Sequence, residues 1–139
     1  MSPADFLNTI CLGDRACKAV LIDSWERRVE VVVTTISRIR SEDGGWHFYN
    51  DENITDGRIV LTEAESCSIV PPLLPNDLIN WVTVSPVPGT SDRWEFVFSM
   101  TSTPEATRAG NDGAEVVLRV IAADIHLEDP SRPGVEIRD

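Results

Sequence analysis

The chain has 139 residues, 42% of them hydrophobic, which suits one domain with a packed core and is too many for a disordered chain. Twelve basic against twenty-three acidic side chains give a formal charge of −11, which argues against direct binding of nucleic acid or anionic lipid, since both need cations that neutralise phosphate. No apolar run reaches the roughly 18 residues that span a bilayer, and Met1–Asp5 lacks a basic patch followed by an apolar stretch, so a cytoplasmic location is expected.

The first element reads as a helix of about two turns. Ser2 can cap it, Pro3 suits the first helical position, and Asp5 favours the positive end of the helix dipole. Phe6 and Ile10 would share its buried face, and Gly13 would end it. The hydrophobic period then changes to two. Arg15–Ser24 and Val29–Arg40 read as strands joined by a turn over residues 25–28, and the second is apolar enough on both faces to be central. Asp43-Gly44-Gly45 is a turn signal, Trp46–Tyr49 a short strand, and Asp56-Gly57 a second turn leading into a strand over Arg58–Thr62.

Ser66–Val70 reads as a strand stopped by Pro71-Pro72, because proline cannot donate to a ladder. Leu78–Ser85 follows, with a break at residues 86–89. Trp94, Phe96, Phe98 and Met100 alternate with Glu95, Val97 and Ser99, the pattern of a half-buried strand. Thr103–Gly113 is a polar loop, and Ala114–Leu127 one long or kinked strand. The sum is a mainly β fold: an antiparallel sandwich or open barrel of about eight strands with one short N-terminal helix. Residues 1–130 form the domain, and residues 131–139, with mixed charge and a proline, read as a tail.

Catalytic chemistry finds little to stand on. There are two histidines, no Gly-x-Ser-x-Gly elbow and no phosphate-cradling glycine loop, so no enzyme activity and no cofactor are expected. His47 and His126 read as structural or surface residues, and no ligand spacing supports a metal. Cys11, Cys17 and Cys67, odd in number and irregularly spaced, read as reduced, structural thiols.

Charge is the more informative signal. Residues 1–40 hold six basic and five acidic groups, whereas residues 41–139 hold six and eighteen. Segment 41–65 has seven acidic residues against Arg58 alone, with Trp46 and Tyr49 inside it. Aromatic anchors amid charge suit a protein-binding surface, and Asp43, Trp46, Tyr49, Asp51, Glu52 and Asp56 are its candidate residues. Arg38 and Arg40 are expected to pair with nearby carboxylates.

Leu12-Gly13-Asp14-Arg15, Ile36-Ser37-Arg38-Ile39-Arg40, Pro75-Asn76-Asp77-Leu78-Ile79 and Ile125-His126-Leu127-Glu128-Asp129-Pro130 together resemble a family of small uncharacterised bacterial proteins of about this length. The resemblance implies a bacterial cytoplasmic protein and carries no activity. By class alone, such a small acidic domain is similar to immunity proteins that cover the basic active site of a toxin. The expected function is therefore non-enzymatic binding of a basic protein partner. The alternatives are a β-barrel holding a small ligand near Trp81, Trp94, Phe96 and Phe98, and a module that forms a homodimer through strand edges.

Overall fold

The computed structural model describes residues 1–39, 52–104 and 113–139. Helix α1, Pro3–Leu7, opens as expected: the Ser2 hydroxyl accepts from the Asp5 amide at 3.1 Å, and the Asp5 carboxylate accepts back from the Ser2 amide at 3.2 Å. It is shorter than the sequence pattern suggests, ending at Asn8 rather than Gly13. Ile10–Cys11 leaves the helix to become β1, laddered against Arg38 and Ser37. Phe6 and Ile10 both reach the core, from different elements.

Strand β2, Cys17–Asp23, forms a hairpin with β3, Arg28–Arg38. β1 and β2 lie end to end along one edge of β3, and β4, Ile54–Thr62, lies along the other. β3 is thus central, as its two apolar faces imply. Asp56-Gly57 is not a turn but part of β4, a correction with a packing reason. The buried face moves from Val29, Val31 and Val33 to Ile36 along β3, and from Leu61, Ile59 and Gly57 to Ile54 along β4. Both strands insert one extra residue at the same level, so the register survives. Asp56 makes this possible in β4 by adopting φ 53°, and Gly57 by lacking a side chain: a Cβ there would lie 2.8 Å from Ile36 Cδ1.

Strand β5, Ser66–Val70, belongs to a second sheet with β6 (Ile79–Pro86), β7 (Trp94–Ser102) and β8 (Ala114–Ala122), in the order β5-β8-β7-β6. The long final run divides at Ala123. β8 stays in this sheet, and β9, Asp124–Glu128, crosses to pair with β4. The β4–β5 and β9–β8 pairs form one ribbon folded over a corner, where residues 63–65 oppose residues 122–123. The surplus residue on the first side and the left-handed Glu63 (φ 51°) make a bulge that turns the ribbon from one sheet into the other.

The first sheet ends in β10, Glu136–Ile137, paired with β9, so residues 131–139, read as a tail, supply a short strand. Opposite the corner the two sheets meet through the Ala16–Leu78 bridge, where Cys17 N–H donates to Asp77 O and Ile79 N–H to Arg15 O, each at 2.9 Å. The result is ten strands among the described residues, in two antiparallel sheets that do not close into a barrel.

Between the sheets Val31, Val33, Ile59, Leu61, Phe96, Phe98, Met100, Leu118, Val120 and Leu127 are fully buried. β7 is buried on both faces rather than one. Its place between β6 and β8 lets Asn80 donate to the Ser99 hydroxyl, which itself donates to Glu115, so a polar outward residue is sealed yet satisfied. The Asp43-Gly44-Gly45 turn and the Trp46–Tyr49 strand lie outside the described residues, as do residues 105–112 of the polar loop.

Candidate functional site

The outer face of a two-sheet fold is normally solvated. In the six-stranded sheet part of it is not: Val60 and His126, paired side by side on β4 and β9, are fully buried although they point away from the core. Charged side chains roof them. His126 Nε2 lies 2.7 Å from Glu128 Oε2, and because a carboxylate accepts, Nε2 donates. Arg28 donates to the same Glu128 oxygen at 2.6 Å and to Glu30 at 3.0 Å, and Arg58 reaches Glu30 at 3.5 Å.

Burial alone would raise the Glu128 pKa, but the bonds from His126 and Arg28 outweigh it and hold the carboxyl below its usual value. β10 sets Glu136 directly opposite Glu128, which would be repulsive. The bond from Arg138 keeps Glu136 below the ordinary range too, and Arg138 also binds Asp124 at 2.7 Å.

This dyad is sealed. The His126 ring has no exposed surface, and its Nδ1 has no hydrogen-bond partner among the described residues. A general base must reach the proton it takes. The Arg28–Glu128 bond ties β3 to β9 across β4, and His126 is buried beside it.

The surface beside this network is more open. A polar cavity of about 470 Å³ is lined by carboxylates from Glu52, Asp129, Glu136 and Asp139, with Arg38 and Arg132 among them. Asp129 is held low by the Ser131 hydroxyl and amide, with help from Arg132. Arg38, 2% exposed, forms its inner wall. It donates to Thr9 Oγ1 at 3.0 Å and lies over the Phe6 ring at 5.4 Å. Its expected partners are nearby carboxylates; Thr9 and the Phe6 ring are among the contacts it makes. Arg40 lies outside the described residues.

Of the six candidate residues, Asp43, Trp46, Tyr49 and Asp51 lie outside the described residues. Glu52 is exposed and lines the acidic cavity. Asp56 is not beside it in that lining; it pairs with Lys18 across β2–β4 at 2.7 Å, half-exposed on both sides. Sequence reasoning missed Asp129, Glu136 and Asp139, because a two-residue strand is too short to show a period.

No group of His, Cys, Asp or Glu among the described residues is placed to hold a metal ion. The three thiols are free, and burial pushes Cys17 up to about 11, the behaviour of a packing residue. No helix among the described residues is long and apolar enough to cross a membrane.

The whole chain, residues 1–139, matches the model of a family of unknown function, DUF6258, and the protein belongs to that family. No curated protein and no solved structure matches it.

Proposed function

We propose that the protein is a non-enzymatic binding domain for a basic protein, acting in the cytoplasm of a bacterium as an inhibitor or immunity protein acts on a toxin. The observation that carries this reading is the convergence of Glu52, Asp129, Glu136 and Asp139 on one open cavity of a chain with charge −11. Glu52 also continues the acidic segment that contains Asp43, Asp51 and the aromatic anchors Trp46 and Tyr49. Over the whole chain, 23 acidic minus 12 basic groups leaves eleven carboxylates in excess. Such a field speeds encounter with a basic surface and rejects acidic ones.

A barrel that holds a small ligand has less support. Phe96 and Phe98 fill the space between the sheets, Trp94 packs against that core, and Trp81 faces solvent.

The test is capture from cell lysate at low and high salt, with wild type beside a variant carrying Asp43→Lys, Asp51→Lys and Glu52→Lys. A basic protein held by wild type at low salt, released by salt and not held by the variant is the expected result. Equal capture by both proteins contradicts the reading.

A further inference from the structure

The two sheets treat their edges differently. The six-stranded sheet guards its edges with charge: Lys18 and Asp23 on β2, Glu136 on β10. The outer strand β6, Ile79–Pro86 (Ile-Asn-Trp-Val-Thr-Val-Ser-Pro), has none. From Val70 to Pro86 the only charged residue is Asp77, and its carboxylate is occupied by the Leu78 amide at 2.9 Å and the Thr103 hydroxyl at 2.7 Å. The same stretch exposes Val70, Leu73, Leu74, Leu78 and Trp81, half of the large hydrophobic side chains that reach solvent among the described residues.

β6 is hydrogen-bonded to β7 on one side. On the other, the Ile79 amide is taken by Arg15 O at the seam, and beyond it no backbone bond is made from that edge among the described residues. The groove alongside, about 320 Å³, is mainly apolar and includes Leu7, Ile10, Leu12, Ile39 and Trp81. A strand edge that is unpaired among the described residues and carries no charge of its own is a template for another strand.

We propose that the occupant is a second copy of this chain, the β6 edges pairing antiparallel about a two-fold axis. Charge makes the choice. Two copies at −11 each repel wherever their carboxylates meet, so a stable contact between them must use uncharged surface, and β6 with its flanks is the longest such edge. A basic partner gains no charge attraction at an uncharged edge. The two-fold keeps faces matched: Val82 and Val84 stay on the core side, where they already pack, and Trp81, Thr83 and Ser85 stay outside. The product is one continuous eight-stranded sheet, two copies of β5-β8-β7-β6 joined at β6. This surface is separate from the acidic cavity and stands or falls independently of it.

Sedimentation of the purified full chain tests the proposal. Wild type is expected to run at twice the 15.4 kDa chain mass at tens of micromolar, roughly the range in which modest edge interfaces associate. Thr83→Lys, an outward charge in mid-edge, is expected to weaken dimerisation at least about tenfold with an unchanged melting curve, whereas Ser68→Lys on the other uncharged edge, β5, leaves the dimer intact. Hydrogen exchange on wild type needs no variant: the amides of Asn80–Ser85 should exchange more slowly at high protein concentration than at low. A wild type that is monomeric at every concentration overturns the proposal, as a heterologous extended peptide on this edge would predict. So does a dimer that Ser68→Lys dissociates and Thr83→Lys does not. Should Thr83→Lys fail to fold, the exchange result on wild type decides.

Discussion

The six-stranded sheet buries polar groups on its outer face, and the four-stranded sheet exposes apolar ones at its edge. On the first, His126 and Val60 lie sealed beside the Arg28–Glu128 pair, and nearby carboxylates reach solvent. On the second, Trp81, 47% exposed, stands on a strand with no charge at all. Both sheets share one core. The contrast teaches that a net charge of −11 is not spread evenly: carboxylates gather around the first sheet's outer face, and the β6 edge of the second carries none.

The largest perturbation should strike what the sheets share. Phe98→Ala opens the core between them and is expected to cost about 3–5 kcal/mol in a denaturant titration. A much smaller loss would mean the two sheets are less interdependent than their packing implies. Next comes Gly57→Ala, confined to the six-stranded sheet. Its new Cβ would meet the buried Ile36 side chain, for an expected cost of about 1–3 kcal/mol. A neutral result would show that β3 and β4 can shift at that level.

Glu128→Gln tests the roof over His126. It weakens two charge-assisted hydrogen bonds, with an expected cost of about 1.5–3 kcal/mol at neutral pH. Glu128 has a folded pKa below its usual value of 4.5, so its contribution is full above that value and lost as pH falls through the lowered one. Wild type should therefore lose stability in acid more steeply than Glu128→Gln, and parallel pH curves would remove Glu128 from the account. Smallest of all is Trp25→Ala at the β2–β3 hairpin tip, 92% exposed, which should change stability by no more than about 0.5 kcal/mol.

Much of the fold is legible in the alternation of residues. Val29, Val31 and Val33 announce a central strand, and the strand over Ser66–Val70 ends where Pro71-Pro72 requires. What misleads is local chemistry overridden by packing. Asp56-Gly57 has the composition of a turn, but the same two properties, tolerance of positive φ and a missing Cβ, serve a face change inside β4. The split at Ala123 is equally hidden, because β8 and β9 are both apolar-patterned and only the ladder partner changes.

The acidic character of the candidate site is visible from composition, and Glu52 lies on the cavity it suggests. The C-terminal carboxylates are not visible in that way, since Asp129 and Glu136 are brought there by the two-residue pairing of β10 with β9. The uncharged edge of β6 is written plainly in residues 78–86. Its meaning appears only from the topology, in which no strand among the described residues pairs with that edge.

The most direct test of sorted charge is the salt dependence of self-association, measured by sedimentation of wild type from about 0.05 to 0.5 M sodium chloride, a range over which screening shortens from above 10 Å to below 5 Å. If copies meet at the uncharged β6 edge, screening relieves the repulsion of their distant carboxylates and the dimer fraction rises with salt. A dimer that dissociates as salt rises would place attractive charge inside the interface, and would contradict the account.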